Sequence, residues 1–359
     1  MNEKIIIGVS GGVDSAVAMK LLQDQGYNVE ALFMKNWDEE DQEDYCSAKE
    51  DLEYANQACE QLDIKLHTVN FSDHYWNNIF LDFIENYKNG YTPNPDVLCN
   101  KHIKFKVFMD HAETLGAKKI ATGHYAKIGN ENNSYYLETP KDLKKDQTYF
   151  LHTLDKKQLS RVVFPLSSYI KEDVKKIAKK YGFKSYERKE SMGICFIGNK
   201  KFKNFICKYI DNMPGDILDD KNRIIGKHNG MFYTTIGQRE GLGIGGLKDS
   251  KNLPWYVFKK DLKNNKLYVC QGNNNDLLRH KKILIKDLQL ITNNENILEK
   301  TLCCQIRHLG DKYKCNIEKI SNNLFCVRTE KFVRAPAPGQ SLVIFNNNIC
   351  LGGGIITND

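Results

Sequence analysis

The 359-residue chain has no apolar run of the length that a membrane-spanning helix needs, which is about 18 residues. It also shows no signal peptide, because the first apolar strand, Lys4–Val9, begins almost at once and leads directly into a glycine-rich loop. We therefore expect no membrane segment and a cytoplasmic location.

Paired cysteines in CxxC spacing are absent as well, although the chain has eleven cysteines. The cysteines are scattered, and the adjacent Cys303 and Cys304 do not suit joint ligation of one metal ion. We expect neither a zinc site nor an iron–sulfur cluster. Most of the cysteines are expected to be small core residues, with one or two left for chemistry.

The charge balance is only mildly basic, with a net charge of +7. This excess is compatible with a polyanionic partner such as nucleic acid, but it is equally compatible with simple solubility. Hydrophobic residues make up 41% of the chain, which is ordinary for a globular protein long enough for two or three domains.

The first half of the chain alternates short apolar strands with amphipathic helices. Strands are predicted at Lys4–Val9, 29–34, 64–69 and Lys119–Thr122, with helices between them. This alternation predicts an α/β fold with a parallel sheet that is covered on both faces. Ligands of such folds bind beyond the carboxyl ends of the strands, where the glycine loop, Met34 and Gly123 are expected to lie.

After about residue 200 the pattern changes to short strands separated by turns rich in Gly, Asn, Asp and Lys. From about residue 280 these strands predict a small antiparallel barrel. We therefore predict three domains: a catalytic α/β domain over residues 1–200, a central β-rich domain over 201–275 and a C-terminal β-barrel over 276–359.

Residues 10–15 read Ser-Gly-Gly-Val-Asp-Ser between the first strand and the first helix. The two glycines allow a tight turn, and the exposed amides at a helix N-terminus favour an anion. Ser10 and Ser15 offer hydroxyls, and Asp14 is expected either to act on a phosphate-bound magnesium ion or to cap the helix. The loop is neither a Walker A nor a GxGxxG motif. The full hexapeptide favours phosphate binding over a plain strand-to-helix turn.

Two cysteines lie in segments of unusual composition. Cys99 ends the run Thr-Pro-Asn-Pro-Asp-Val-Leu-Cys, and a helix is predicted to begin near Asn100. A helix N-terminus lowers the pKa of a thiol, so this position favours a thiolate. Cys195 lies two residues after Gly193, at a predicted loop end. Either cysteine alone is more often an inert core thiol, so neither defines a reaction by itself.

Taken together, these features resemble the tRNA-specific 2-thiouridylases of the PP-loop ATP-pyrophosphatase superfamily. The matching segments are residues 8–15, 32–37, 94–100, 121–125, 145–150, 193–198, 338–340 and 351–354, which extend over essentially the whole chain. The resemblance implies an adenine nucleotide alpha-hydrolase-like N-terminal domain. One departure is Glu-Ser-Met-Gly at 190–193, where the family often has Asp-Ser-Thr-Gly, and it puts the local hydrogen bonding around Cys195 in doubt.

The resemblance implies an enzyme that uses ATP, with Mg²⁺, to adenylate the oxygen on carbon 2 of a wobble uridine in tRNA. Sulfur then replaces that oxygen, which gives 2-thiouridine and releases AMP and pyrophosphate. Adenylation makes the oxygen a good leaving group. By resemblance, Cys195 carries the sulfur as a persulfide and Cys99 is the catalytic nucleophile, with a disulfide between them able to form at turnover.

The resemblance also assigns binding residues. For ATP it implies Gly8, Val9, Ser10, Gly11, Gly12, Val13, Asp14, Ser15, Met34 and Gly123. For tRNA it implies Asn94, Pro95, Asp96, His124, Lys145, Asp146, Gln147, Arg307, His308 and Gln340. The first three of these would meet the flipped-out base. The implied partners are the Lys, Glu and Gln tRNAs and a persulfide relay protein or cysteine desulfurase.

Three other functions fit parts of the sequence. Another PP-loop tRNA ligase would need no cysteine pair, and an iron–sulfur thiolase is disfavoured by the lack of CxxC. A tRNA-binding protein with a degenerate ATP site is disfavoured by the intact Ser10, Asp14 and Ser15. Release of pyrophosphate that depends on tRNA separates an enzyme from a binder, and detection of thiouridine separates sulfur transfer from the other ligases.

Overall fold

The computed structural model describes residues 3–37, 47–188, 205–245, 253–292 and 295–358. These residues form three sheets: a five-stranded sheet, a four-stranded sheet and an eight-stranded sheet that contains a closed barrel. The predicted order of an α/β domain, a small central domain and a C-terminal β-barrel is confirmed.

The described part of the N-terminal region contributes seven strands. They are β1 (Lys4–Val9), β2 (Asn28–Lys35), β3 (Leu66–Asn70), β4 (Lys119–Thr122), β5 (Lys127–Glu131), β6 (Ser134–Glu138) and β7 (Val162–Val163). Five of them form a parallel sheet in the order β3-β2-β1-β4-β7. Because β1 lies at the centre of this sheet, its carboxyl end opens between two neighbouring strands, which is where ligands of such sheets bind.

Among the described residues, eight α-helices accompany this sheet. They are α1 (Val13–Asp24), α2 (Ser47–Gln61), α3 (Ser72–Tyr75), α4 (Leu81–Lys88), α5 (Pro95–Cys99), α6 (Phe108–Thr114), α7 (Lys156–Ser160) and α8 (Lys171–Tyr181). The π-helical segments Trp76–Phe80 and Asn100–Val107 join α3 to α4 and α5 to α6 without a break.

Helices cover both faces of the parallel sheet. Ile6 belongs to one hydrophobic cluster, with residues of α4 and α6, whereas Ile5 and Ile7 belong to a second, with residues of α1 and α2. All three isoleucines are fully buried. The continuous apolar run in β1 is therefore explained by burial on both sides.

The central domain is built on a four-stranded sheet in the order β10-β11-β8-β9. Its strands are β8 (Gly215–Leu218), β9 (Ile224–His228), β10 (Trp255–Asp261) and β11 (Lys266–Gln271). A small core that includes Ile217, Val257 and Leu267 lies on this sheet.

The C-terminal region forms a six-stranded antiparallel barrel. Its strands are β12 (Arg279–Leu290), β13 (Leu302–Gln305), β14 (Tyr313–Lys319), β15 (Leu324–Arg334), β16 (Ser341–Asn346) and β17 (Ile349–Thr357). Pairing of β12 with both β15 and β17 closes it. The hairpin of β5 and β6 extends the barrel sheet, because Cys350 of β17 pairs with Leu137 of β6.

Short 3-10 turns occur at Thr148–Leu151, Lys184–Glu187, Met231–Tyr233, Asp276–Leu278 and Glu295–Glu299. Among the helices of the described residues, none combines the length and the apolar character that a membrane crossing needs.

Candidate active site

The glycine loop lies at the carboxyl end of β1 and is shaped by one contact. Gly11 has a φ of +70°, and a Cβ atom there would lie 2.2 Å from the carbonyl oxygen of Asp51 in α2. Only glycine fits both the left-handed backbone and this close approach. The loop therefore has its turn in place before any ligand binds, and α1 points its N-terminal amides out of the carboxyl edge of the sheet.

Helix α1 begins at Val13, and Gly12 is its N-cap residue without a side-chain hydrogen bond. The capping alternative for Asp14 is therefore wrong. The Ser15 hydroxyl donates to the Gly12 carbonyl at 2.9 Å and accepts from the Ser10 amide at 3.4 Å, so it holds the loop together. Ser10 itself is exposed. Its hydroxyl is thus the one the loop presents to solvent.

The Asp14 carboxylate is held by two side chains from distant parts of the chain. The Lys171 ammonium lies 2.8 Å from Oδ1 and 2.7 Å from Oδ2, and the Tyr125 hydroxyl donates to Oδ1 at 2.8 Å. Lys171 is only 6% exposed, and its own amide donates to Asp142 Oδ2 at 2.8 Å. A carboxylate beside a phosphate loop repels a polyanion, and this buried ammonium offsets that repulsion.

Lys171 was missed by the sequence reasoning. It opens α8 in the run Lys-Glu-Asp-Val-Lys-Lys, and nothing in that run distinguishes it from the solvated lysines around it. Its partner Asp14 is 157 residues away in the sequence. Only the packing of α8 on α1 brings the two groups together.

The remaining ATP candidates line the same edge of the sheet. A Cβ atom on Gly8 would come within 3.2 Å of Met34 Cε, and one on Gly123 would come within 3.1 Å of the Ser15 amide nitrogen. The absence of side chains at Gly8 and Gly123 thus lets β1, β2 and β4 end close together around the start of α1. Val9 and Val13 are buried in the core, so they offer only backbone groups.

Cys99 lies inside a helical run, and the predicted helix start near Asn100 is wrong. Helix α5 begins at Pro95 with Asn94 as its N-cap, whose Oδ1 accepts from the Asp96 amide at 3.2 Å. Asparagine at the N-cap and proline at the first position are the standard signals of a helix start, and they set the boundary here. Cys99 is 1% exposed. The argument that a helix N-terminus makes it a thiolate therefore does not hold.

Three of the tRNA candidates meet at a seam between α5 and the barrel. The His308 Nε2 atom lies 2.7 Å from the Asp146 carbonyl oxygen, and its ring lies 4.5 Å from that of Phe150. Burial raises the pKa of Asp96, and the charges of Lys104 and His308 act in the opposite direction. His308 therefore contacts Asp146 directly, and it is near enough to Asp96 for its charge to act on that carboxyl group.

Asn100, the residue after Cys99, is a further buried polar group at this place. It is 2% exposed, and its Nδ2 donates to the Phe150 carbonyl at 3.1 Å. Its buried Oδ1 has no hydrogen-bond partner among the residues that the structure describes. A buried acceptor of this kind is costly unless something pairs with it.

His124 and Gln147 adjoin Tyr125, whose hydroxyl donates to Asp14. The His124 ring is buried between Phe105 and Phe164, its Nδ1 lies 2.8 Å from Thr122 Oγ1, and burial lowers its pKa well below the usual value. Gln147 binds the backbone of Tyr125 through its amide and its Oε1, both at 2.9 Å. The geometry gives both residues a supporting position, since Tyr125 holds Asp14.

Of the last three tRNA candidates, Gln340 lies at a contact between the barrel and the N-terminal region. Lys145 is half-buried, and its amide donates to the Asp142 carbonyl at 3.1 Å. Gln340 Nε2 donates to the Thr92 carbonyl at 2.6 Å, just before α5. Arg307 is exposed on the barrel and donates to the Ala335 carbonyl at 2.8 Å.

Cys195 lies outside the described residues, as does the rest of 189–204. Of the residues that border this range, Arg188 pairs with Asp51 of α2 at 2.5 Å, beside the contact that shapes Gly11. Phe205 is buried against Trp37 and Phe80. Within the described ranges, no group of three His, Cys, Asp or Glu side chains is arranged to hold a metal ion.

This combination defines a class of protein. A parallel sheet whose central strand ends in a preformed glycine loop, with a helix N-terminus at its carboxyl edge, is a nucleotide-binding domain that receives phosphate groups.

Three family models match successive parts of the chain. Their descriptions are tRNA methyl transferase HUP domain for residues 3–199, tRNA methyl transferase PRC-barrel domain for 203–271 and Aminomethyltransferase beta-barrel domain for 280–356.

Full-length relatives narrow the class to a family. The tRNA-specific 2-thiouridylase MnmA of Legionella pneumophila is 46% identical over 356 residues, which cover 99% of each chain. The MnmA proteins of Buchnera aphidicola and Pseudomonas aeruginosa are also 46% identical, over 99% of this chain and 97% and 94% of theirs. The chain belongs to the tRNA-specific 2-thiouridylase family.

Solved structures match more distantly. The U34-tRNA thiolase NcsA from Methanococcus maripaludis, with a [4Fe-4S] cluster, has a TM-score of 0.36 at 19% identity and covers 58% of this chain and 64% of its own. A 4-thiouridine synthetase in complex with RNA and ATP has a TM-score of 0.35 at 18% identity, over 55% of this chain and 46% of its own. A likeness at this level adds nothing to the assignment.

Proposed function

We propose that this protein is an ATP-dependent tRNA-uridine 2-sulfurtransferase, which makes 2-thiouridine at the wobble position of tRNA. The observation that carries the proposal is the match to 2-thiouridylases at 46% identity along 99% of the chain. The family models carry a methyl transferase description, but the full-length relatives are thiouridylases by name. We base the proposed activity on the relatives, because they match 99% of the chain.

The structure supports the nucleotide step through the glycine loop. The amides at the start of α1 bind phosphate oxygens, and Ser10 adds a hydroxyl. Lys171 keeps Asp14 from repelling the triphosphate. Magnesium usually binds through one or two carboxylates together with substrate phosphates. Asp14 suits that role, since its carboxylate is part-exposed at the loop. When bound, the ion neutralises phosphate charge.

The seam of Asp96, Asp146 and His308 is the proposed entry for the uridine. A base inside the anticodon stack cannot reach a buried thiol, so the nucleotide must flip out of the stack. Asn94 and Pro95 form the rim of α5 at this point, and Cys99 lies one helical turn further on. The buried Oδ1 of Asn100 is a group that a donor on the base would satisfy.

The sulfur step rests on the two cysteines. We propose that the terminal sulfur of a Cys195 persulfide attacks carbon 2, the carbon–oxygen bond breaks and AMP leaves with the oxygen. Cys99 then attacks the inner sulfur, which releases the thiouridine and leaves a Cys99–Cys195 disulfide. Alternatively, Cys99 first attacks the inner sulfur of the persulfide, which forms the disulfide and releases hydrosulfide. The hydrosulfide then adds to carbon 2, and AMP leaves with the oxygen. Either route ends with a disulfide that a thiol must reduce.

The finer assignments of partners follow the family. We propose the Lys, Glu and Gln tRNAs as substrates and a persulfide relay protein or a cysteine desulfurase as the sulfur donor. A cytoplasmic location, where tRNA is modified, stays a prediction.

Reconstitution with ATP, a persulfide source and unmodified tRNA tests the proposal. Thiolated tRNA is detected by its retardation in a gel that binds thiones. Cys99→Ala and Cys195→Ala are each expected to abolish thiolation while the dissociation constant for tRNA stays near that of the wild type. Thiolation retained in either variant overturns the cysteine roles. Pyrophosphate release without sulfur incorporation would instead indicate another PP-loop ligase, and tRNA binding without pyrophosphate release would indicate a degenerate ATP site.

A further inference from the structure

We propose that a strip of cations on the barrel, ending at the exposed ring of Phe332, binds the phosphate backbone of the RNA substrate outside the active site. Beyond Arg307, which the family resemblance already assigns to tRNA, the strip consists of Arg334, Arg279 and Lys281 together with Phe332. The inference rests on the proposed function, because it takes the substrate to be a tRNA.

The strip begins at the seam where the uridine is proposed to enter. Arg307 directly precedes His308, whose ring contacts the Asp146 carbonyl. The Arg307 guanidinium crosses to the Ala335 carbonyl at 2.8 Å, which places it beside Arg334. Arg334 lies over the ring of Tyr256 at 4.8 Å and donates to the Gly237 carbonyl at 3.4 Å. The two arginines are therefore held in place at the contact between the barrel and the central domain.

The strip continues across β12 and β15. Arg334 of β15 pairs with Arg279 of β12. Between the pairs His280–Val333 and Lys282–Arg328 the register is interrupted by a bulge, in which Lys281 faces residues 329–332. Bulges redirect side chains away from the regular pleat, and this one leaves the Phe332 ring 46% exposed.

Phe332 orders the cations at the end of the strip. The Arg279 guanidinium lies 4.3 Å from the centre of its ring, and the Lys281 ammonium lies 5.0 Å from it. An aromatic face attracts cations at these distances and restricts their motion. An exposed ring beside ordered cations is the combination that nucleic-acid-binding surfaces use, with charge for the backbone and a ring for stacking.

The acidic groups nearby do not cancel this charge. Asp276 pairs with Arg279 at 3.1 Å, but its side chain is 92% exposed. An exposed ion pair of this kind is weak, so a phosphate can take its place. Glu330 is exposed in the bulge, but Lys282 and Lys331 are exposed beside it.

The position of the strip favours RNA over an acidic protein. A tRNA with one base in the seam must continue along the protein surface from that point, and the strip starts there. Arginine is well suited to phosphate because its planar guanidinium donates two parallel hydrogen bonds. Binding of an acidic protein, such as a sulfur donor, in place of RNA would be a different result of the experiment.

The test variant is Lys281→Gln/Phe332→Ser in the full-length protein. Its matched control is Lys319→Gln/Ile320→Ser, which removes one exposed cation and one exposed apolar side chain at the opposite end of β15, where Ile320 is 55% exposed. Affinity for unmodified tRNA is measured at several salt concentrations. We expect the test variant to bind about ten-fold more weakly, with a salt slope about one unit smaller. The control variant is expected to keep the tRNA affinity and the salt slope of the wild type. The ATP KM and the thermal midpoint are expected to stay unchanged in both variants.

The outcomes separate the possible errors. Unchanged tRNA affinity and salt slope in the test variant overturn the strip. Loss of sulfur transfer from a protein donor, with tRNA affinity and transfer from inorganic sulfide intact, overturns it in favour of an acidic protein partner. A wild-type protein that neither binds nor thiolates tRNA contradicts the proposed function itself, whereas a wild-type protein that does both leaves the proposed function standing whatever the variants show.

Discussion

At the scale of single residues, the glycine loop carries the carboxylate of Asp14, and the Lys171 ammonium offsets its negative charge. Asp14 places a carboxylate in the first turn of α1, where the helix N-terminus favours anions and a triphosphate would compete with it. Lys171 and Tyr125 hold that carboxylate with three short contacts. The ion pair with Lys171 therefore leaves little net negative charge next to the proposed phosphate site.

Lys171→Met is expected to raise the ATP KM about ten-fold and to lower the free energy of unfolding by about 1–3 kcal/mol, because it leaves a part-buried carboxylate without its cation. Lys171→Arg should recover part of the ATP affinity. Steady-state kinetics with varied ATP and chemical denaturation measure the two effects. The control is Lys20→Met, which removes the partner of Asp24 elsewhere in α1. An unchanged ATP KM for Lys171→Met would contradict this account of the loop.

His152 makes stability depend on pH. It is 3% exposed, and burial lowers its pKa from 6.5 to about 4. Between these values the unfolded chain binds a proton that the folded chain does not. Stability is therefore complete above pH 6.5 and falls as the pH drops towards 4, by up to about 3 kcal/mol from this residue.

Denaturation at pH 7.5, 6 and 5 measures this effect. Comparison with His152→Asn, which keeps a donor for the Tyr149 carbonyl, separates the effect of His152 on stability from the titration of the carboxylates. The difference in unfolding free energy between the wild type and the variant should shrink as the pH falls. A difference that stays constant over this range would show that His152 is not the group responsible.

At the scale of elements, the start of α5 sets the positions of the proposed rim residues and of Cys99. The helix begins at an Asn-Pro pair and runs on through a π-helical segment into α6, so Cys99 and Asn100 lie inside a continuous helical run with their side chains buried in the protein. The rim residues Asn94 to Asp96 occupy the first turn. A change in the cap therefore moves the rim and the thiol together.

Asn94→Ala should lower the free energy of unfolding by about 1 kcal/mol, since it removes the N-cap acceptor. It should also reduce thiolation by much more than the loss of stability explains. The control is Asp155→Ala, which removes the capping box of α7 away from the seam. Thermal unfolding and the thiolation rate are measured for both variants. Equal rates in the two would show that the start of α5 does not position the reaction.

The elements that could be predicted from the sequence are those set by local patterns. β1 at Lys4–Val9 and β4 at Lys119–Thr122 were predicted residue by residue, because buried strands bounded by glycine or by polar residues have clear ends. The start of α5 was predicted too late, because Asn94 and Pro95 were not recognised as the N-cap and the first residue of the helix. The addition of the β5–β6 hairpin to the barrel sheet was not predictable, since pairing Leu137 with Cys350 is decided by packing across more than 200 residues.

At the scale of the whole molecule, the three domains meet at Thr92. Its amide donates to the Pro338 carbonyl at 2.8 Å, its carbonyl accepts from Gln340 at 2.6 Å and its hydroxyl donates to Thr235 at 3.2 Å. Thr92 lies two residues before the N-cap of α5. The barrel and the central domain thus fix the approach to the candidate site, a link that sequence patterns could not reveal because each partner is more than 140 residues away.

Substitution of Gln340 tests whether this residue of the barrel mainly holds Thr92 or mainly contacts tRNA. If its main role is to hold Thr92, then Gln340→Ala lowers kcat for thiolation about ten-fold and leaves the dissociation constant for tRNA nearly unchanged. If it mainly contacts tRNA, as the family resemblance implies, the dissociation constant rises instead. We predict the first result. Gln289→Ala, which removes another bond from the barrel to the catalytic domain, is the control.

The central claim is that the protein adenylates the carbon 2 oxygen of a tRNA uridine before sulfur replaces it. The most direct test uses tRNA with ¹⁸O at that oxygen, together with ATP and a persulfide source, and analyses the AMP by mass spectrometry. The account predicts one ¹⁸O-labelled AMP for each 2-thiouridine formed. Thiolation accompanied by unlabelled AMP, or without AMP, would contradict it.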